Sequence, residues 1–426
     1  MNPCRTFSVL RFLHRLNLKQ CVDKCFSQHV IKRNYSHDPE DGHFSDGQNN
    51  KTPRRVDPKS LKAFVGDMYT GHLETSADTA FPSDEANLSN ITQNRKSYLT
   101  KPERDGTDPS LTSVLMFPGQ GNHFVGMGKN LIHIPGAKDV YDRASVVLEY
   151  DLLEICLKGP ESKLSKTEFS QPAIVVTSLA AVEKLREERP QAVDMCVAAA
   201  GFSVGEITAL IFAESLSFED GIKLIKLRAE AMQRCSEEVS SGMMTVVYDS
   251  NSYVKEAMLA AREYCKVKVG IEDPVCKVAA YVGTERKVIA GHTEALDFLL
   301  ETQKDFGIRN IKRLNVSGAF HTNLMKEASL EVKQALAAIS FSPSIVPVYS
   351  NVTGKPFSSN SNRAKNSICD QIVEPVKWEQ TVKKIYSRPQ GTAYPNTYEV
   401  GPRRSLGHLL KATDRKALRS YKFVEV

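Results

Sequence analysis

No run of 18 apolar residues occurs anywhere in the 426-residue chain, so nothing in the sequence is long enough to span a membrane as a helix. The nine cysteines include no C-x-x-C pair and no metal-ligand spacing; they read as reduced, structural thiols, and no metal site is expected. Tryptophan occurs once, at Trp378. Most of the chain also lacks a charge excess. The formal net charge is +6, but residues 1–37 carry seven Lys/Arg against one acid, Asp23, leaving 49 basic and 49 acidic residues across 38–426. A neutral body gives no support for nucleic-acid binding by bulk charge.

The acid-poor segment is itself informative. Arg11, Arg15 and Lys19 recur at four-residue spacing, with Val9, Leu13 and Leu16 on another face. Arg11 and Arg15 interrupt every candidate secretory core, so the segment reads as a mitochondrial transit peptide over 1–37, with the matrix as destination and Arg33-Asn34-Tyr35-Ser36 as the processing region. Residues 38–110 are polar, with few aromatics, and are expected to form a largely disordered linker apart from a short helix over Lys59 to Tyr69.

The centre of the chain is Gly201-Phe202-Ser203-Val204-Gly205-Glu206. Val193 to Ala200 before it reads as a buried strand, and Glu206 to Ala213 after it as a core-packed helix. Gly-x-Ser-x-Gly between a strand and a helix is the spacing of a nucleophile elbow. The glycines remove side chains that would collide at so sharp a turn, and the helix start aims free N–H groups at a developing oxyanion.

A first strand, Ser113 to Phe117, runs into Pro118-Gly119-Gln120-Gly121-Asn122. Phe124 stands where a dinucleotide fingerprint needs a third glycine, and no P-loop Gly-Lys-Ser/Thr occurs, so this turn reads as presenting a backbone N–H rather than cradling phosphate. Helices are expected over 137–157 and 172–188, the second opened by Ser170-Gln171-Pro172. Phe218, Ile222, Ile225, Met232 and Cys235 then form one apolar stripe from Phe218 to Glu238, and Arg228 lies on it. A guanidinium there keeps its charge: it snorkels, pairs internally, or holds a substrate carboxylate. Residues 242–316 follow the order βαββαβ, a ferredoxin-like unit inserted into a larger α/β domain. The chain then returns through Gly318-Ala319-Phe320-His321, and a further strand over Ile345 to Tyr349 leads into Ser350-Asn351-Val352-Thr353-Gly354. Glu399-Val400-Gly401-Pro402 is a late strand and turn.

In this order, Phe117-Pro118-Gly119-Gln120-Gly121, Ser170-Gln171-Pro172-Ala173, the Ser203 elbow, Arg228 with Met232 and Gln233, the Phe320-His321 segment and the two late turns resemble the malonyl-CoA:acyl carrier protein transacylases, mitochondrial branch, over about residues 112–426. The resemblance implies an α/β-hydrolase-like large subdomain, 111–241 and 317–426, with the ferredoxin-like small subdomain over 242–316. It implies Ser203 as nucleophile, His321 as general base and acid, and the backbone N–H groups of Gln120 and Val204 as oxyanion hole. Arg228 is implied as the clamp on the malonyl carboxylate, with Gln171, Phe320 and Asn351 also binding substrate. A main-chain carbonyl of the Val376-Lys377 segment is expected to orient His321. The implied partners are malonyl-CoA and acyl carrier protein, with coenzyme A thioester as substrate and no bound cofactor or metal. Lys312-Arg313, Lys383-Lys384 and Arg403-Arg404 are candidate contacts for an acidic carrier. Two departures stand out: Phe202 replaces the histidine usual in bacterial members, and Arg403 replaces the second glycine of a Gly-Pro-Gly turn.

Two other readings use the same residues. A serine hydrolase or thioesterase would use Ser203-Asp370-His408, in the chain order of α/β-hydrolases. A silent carrier-binding subunit would lack Ser203, His321 or Arg228, and all three are present.

Overall fold

A computed structural model describes residues 107–426; the expected transit peptide, the Lys59 to Tyr69 helix and nearly all of the polar stretch lie outside the described residues. Among the described residues, a 3-10 turn, Pro109–Leu111, precedes the first strand.

Among the described residues, nine strands form two sheets. The first holds β1 (Ser113–Phe117), β2 (Cys196–Gly201), β7 (Val348–Tyr349), β8 (Asn396–Val400) and β9 (Tyr421–Val424), in the order β7-β2-β1-β8-β9. Every pairing in it is parallel. All five residues of β1 are buried, which explains why its sequence is an unbroken apolar run after Ser113 instead of an alternation. The second sheet is antiparallel, with β3 (Ser241–Val247), β4 (Cys276–Gly283), β5 (Arg286–His292) and β6 (Asn310–Arg313) in the order β4-β5-β3-β6. With α6 (Val254–Tyr264) and α7 (Thr293–Thr302) between strands, this is the ferredoxin-like βαββαβ arrangement.

The remaining helices of seven or more residues among those described are α1 (Pro135–Leu148), α2 (Leu152–Lys158), α3 (Thr167–Glu188), α4 (Val204–Phe212), α5 (Phe218–Glu238), α8 (Lys326–Ala338), α9 (Ser361–Val373), α10 (Trp378–Tyr386) and α11 (Leu406–Thr413). Helix α4 buries eight of its nine residues and is apolar nearly all round, as a helix inside a core must be. Helix α5 keeps the limits its apolar stripe predicts. The Ser217 side chain accepts from the N–H of Asp220, and Glu219 and Asp220 complement the positive end of the helix.

Several expected boundaries move. The helix expected over 137–157 is two helices: Glu149 takes a left-handed φ of 68°, and Asp151 accepts from the N–H of Glu154 to start α2. Helix α3 starts at Thr167, so Pro172 lies inside it. The free first turn is held from outside, where Gln233 Oε1 accepts from the N–H of Thr167 at 2.8 Å. The strand expected from Val193 starts at Cys196, because Pro190–Asp194 is a one-turn helix. The strand expected over Ile345 to Tyr349 shrinks to Val348–Tyr349.

At the Arg403 departure, the arginine keeps a left-handed backbone, φ 61°, with its guanidinium 5.4 Å from the centre of the Phe124 ring. Gly401, at φ 139°, abuts Ser178 and Pro118; a Cβ there would lie 2.3 Å from Ser178 Oγ. Gly401→Ala is therefore expected to destabilise the protein by about 2 kcal/mol or more. Arg403→Gly should stay within about 1 kcal/mol of wild type, because relief of the left-handed backbone offsets the lost ring contact. Denaturant unfolding of the two variants checks the contrast.

Candidate active site

The parallel sheet and α4 place Ser203. Strand β2 ends at Gly201, and α4 starts at Val204. A Cβ on Gly201 would lie 1.8 Å from the Gly205 carbonyl oxygen, and one on Gly205 would lie 2.3 Å from that of Phe117. Only glycines let the strand turn into the helix against the end of β1. Ser203 sits at the turn with φ 53° and ψ −116°, a conformation that costs on the order of 1–3 kcal/mol in a residue with a side chain.

Hydrogen bonds hold that strained backbone from both sides. Asn351 Oδ1 accepts from the N–H of Ser203 at 2.7 Å, and Gln371 Nε2 donates to the carbonyl of Ser203 at 2.8 Å. Asn351 Nδ2 also donates to the Gly201 carbonyl at 2.7 Å. Asn351, expected to bind substrate, bonds to the elbow through both polar side-chain atoms.

His321 stands opposite, 3% exposed, with a left-handed φ of 61°. Its Nδ1 lies 2.6 Å from the main-chain oxygen of Gln371, and its Nε2 lies 2.8 Å from Ser203 Oγ. A carbonyl can only accept, so Nδ1 carries the proton and Nε2 is left to accept from the serine hydroxyl. The orienting carbonyl is thus not in the Val376-Lys377 segment, whose own carbonyls are already used. That of Val376 accepts from Tyr281 N–H at 2.9 Å, beside β4, and that of Lys377 from Thr381 N–H at 3.0 Å. Gln371 instead lies in the last turn of α9, where helix carbonyls have no partner within the helix. The negative end of α9 thus faces the imidazole.

Arg228 closes the group and is completely buried. Its Nη1 donates to Gln171 Oε1 at 2.5 Å, and its Nη2 donates to Gln371 Oε1 at 2.8 Å and lies 3.5 Å from Ser203 Oγ. Its Nε has no partner, and no carboxylate comes within 4 Å of it among the described residues. Burial pulls its pKa down to about 10, which still leaves it charged at neutral pH. A buried, charged fork with no anion on it is costly, and it favours an anionic ligand.

Gln171 Nε2 reaches Gln120 Oε1 at 3.3 Å, and Gln120 Nε2 donates to Thr167 Oγ1 at 3.1 Å, which fixes the first turn beside the elbow. Among the described residues the N–H groups of Gln120 and Val204 donate to no protein acceptor. Phe320 is 4% exposed and directly precedes His321. Asp370 and His408 are exposed, and neither bonds to Ser203 among the described residues. Arg313 pairs with Asp297 at 2.6 Å and Lys383 with Glu379 at 2.5 Å; Arg404 lies 3.7 Å from Glu425. Two clefts of about 500 Å³, one beside Arg143 and Phe218 and one beside Arg189 and Lys422, include none of these catalytic candidates.

Two members of the group escaped the sequence reading. Gln371 and Glu206 are both buried. Each is a polar residue in an apolar setting: Gln371 continues the buried positions Ala364 and Ile368 of α9, and Glu206 lies within apolar α4. That is the same signal that singles out Arg228.

The acyl transferase domain family matches residues 114–418. The chain is 42% identical over 370 residues to a probable mitochondrial malonyl-CoA-acyl carrier protein transacylase of Drosophila melanogaster, covering 87% of this chain and 96% of that protein. It is 48% identical over 318 residues to the mitochondrial malonyl-CoA-acyl carrier protein transacylase of Mus musculus, covering 75% of this chain and 83% of that protein. The solved structure of the malonyl CoA-acyl carrier protein transacylase of Coxiella burnetii superposes with a TM-score of 0.66 at 29% identity, covering 75% of this chain and 95% of that one.

The charge state of His321 is open to direct test. Burial, and next the Arg228 charge, hold its pKa down to about 4, so the neutral base persists well below the ordinary imidazole range. Between about 6.5 and 4 the unfolded chain takes up a proton at this position and the folded one does not, so stability falls as pH falls through that window. Ser203 acylation by a small activated acetyl ester is expected to lose rate only near pH 4. A half-maximal point near 6.5 in a pre-steady-state pH series would overturn this assignment.

Proposed function

The chain belongs to the acyl transferase family, within the malonyl-CoA:acyl carrier protein transacylases of the mitochondrial branch, and from that premise we propose that Ser203 carries the malonyl group from coenzyme A to acyl carrier protein. The enzyme is an acyltransferase. Its reaction moves malonyl onto the phosphopantetheine thiol of the carrier and so supplies fatty acid synthesis.

The proposed steps follow from the geometry. His321 Nε2 accepts the Ser203 proton as Oγ attacks the thioester carbonyl. The carbonyl oxygen takes the negative charge against the N–H groups of Gln120 and Val204, worth a few kcal/mol per donor in comparable sites. As the C–S bond breaks, His321 returns the proton to the thiolate, releasing coenzyme A and leaving malonyl esterified to Ser203. The carrier thiol then reverses the sequence. Only an acyl group and a proton move, so coenzyme A enters as thioester substrate.

The observation that carries the reading is the buried Arg228 fork beside the nucleophile, without a carboxylate partner among the described residues. A malonyl group brings the missing anion, and Arg matches a carboxylate with two parallel bonds. A hydrolase of unsubstituted acyl groups has no use for that cation. Phe320, buried and directly before His321, supports malonyl over an α-branched acyl group. The protein is mitochondrial; we place it in the matrix, supported by the basic, acid-poor residues 1–37.

Intact-protein mass spectrometry after brief exposure to malonyl-CoA is expected to show one added malonyl group, absent from Ser203→Ala and discharged by holo acyl carrier protein. Discharge by water as fast as by the carrier would mark a thioesterase instead. Arg228→Ala should slow malonyl loading about 100-fold or more and spare or raise acetyl loading. Equal losses for the two acyl groups would sink the clamp, and loss of activity in His408→Ala would revive the hydrolase reading.

A further inference from the structure

The steps above leave Glu206, a buried ionisable group beside the nucleophile, without a role. Glu206 stands three residues after Ser203, in the first turn of α4, and is completely buried. Its bonds leave the helix. Oε2 accepts from the backbone N–H of Asn351, and Oε1 accepts from Gln371 Nε2 at 3.1 Å. Both oxygens accept N–H bonds, the pattern of a carboxylate. Burial raises the carboxyl pKa, and the two accepted bonds and the Arg228 charge oppose it by favouring the ionised form.

These two partners are the residues that hold the nucleophile. Asn351 binds the N–H of Ser203, and Gln371 binds its carbonyl. One carboxylate therefore anchors both clamps on the strained serine. Gln371 also connects the rest of the site: its Oε1 accepts from Arg228, and its main-chain oxygen accepts from His321. The Gln371 amide lies between the Glu206 carboxylate and the Arg228 guanidinium, and the two charges do not pair directly. Glu206 is the anion that favours a charged Arg228, yet it does not occupy the fork.

We propose that Glu206 is a positioning residue for acyl transfer: through Asn351 and Gln371 it fixes the serine backbone, and it balances the Arg228 charge while leaving the fork open to the acyl carboxylate. The proposal rests on the acyl-transfer reading and adds a residue that acts without touching substrate. A purely structural Glu206 would support folding and nothing else, so the two ideas separate in kinetics.

Glu206→Gln keeps the shape, removes the charge and turns an NH2 toward one of the two N–H donors. The maximal rate of malonyl loading onto Ser203 is expected to fall about 10- to 100-fold, as small displacements of a nucleophile do. The KM for malonyl-CoA should fall rather than rise, because the competing anion is gone. Acetyl-CoA carries no carboxylate and gains nothing, so the malonyl-to-acetyl ratio of kcat/KM should rise about 3- to 10-fold. Glu206→Asp keeps the charge on a shorter arm; it should lose rate but retain the wild-type ratio. The ratio is read by intact mass on one sample given both donors in competition, so it is independent of the folded fraction, and thermal melting reports that fraction separately. A Glu206→Gln protein with wild-type rate and ratio, or one whose rate falls only with its folded fraction at an unchanged ratio, would overturn the proposal. If wild type itself takes up no malonyl that Ser203→Ala lacks, the acyl-transfer reading fails instead, whatever Glu206 does.

Discussion

The site depends on a backbone that the chain would not adopt alone. Ser203 and His321 both take positive φ values, 53° and 61°, in residues with side chains. Such conformations persist only where the surroundings over-determine them. For Ser203 the surroundings are the two bonds from Asn351 and Gln371 and the close packing at Gly201 and Gly205. For His321 they are bonds to α9, whose Ile372 carbonyl accepts from the His321 N–H at 3.1 Å while its Gln371 carbonyl accepts from the ring. The fold places β2, β7 and the end of α9 side by side, and that adjacency makes the constraint affordable.

The electrostatics follow from the same packing. Arg228, Glu206 and His321 are all buried, so none is stabilised by bulk water. The Arg228 charge favours an ionised Glu206 and a neutral His321, which suits the role of base proposed for it. Substrate carboxylate would complete the balance that the protein leaves open.

Features set by local pattern were legible in the sequence. The elbow, the limits of α5, Arg228 on its stripe and the βαββαβ order each follow from spacing within one short segment. The rest depended on segments far apart in the chain. Asp370 and His408 satisfy a familiar chain order, but both face solvent on helices whose buried faces point elsewhere. The Val376 carbonyl is taken by β4, so Gln371 became the partner of His321, a choice no local pattern encodes. The same holds for Asn351, whose amide reaches an elbow 148 residues away. The break at Glu149 was legible in principle, since Asp151 and Glu154 carry the signature of a helix start.

The partner of the His321 ring is an atom of the main chain, and every amino acid carries it. Replacing the side chain at position 371 can sever the links to Ser203, Glu206 and Arg228, but no replacement deletes the carbonyl that fixes the imidazole tautomer. In a triad built on an aspartate, one codon change removes the orienting group. Here that function is encoded by where α9 stops, a property spread over its cap, its length and its packing. The dyad is accordingly shielded from point mutation at its third position, and exposed to insertions or deletions within the thirteen-residue helix that delivers it.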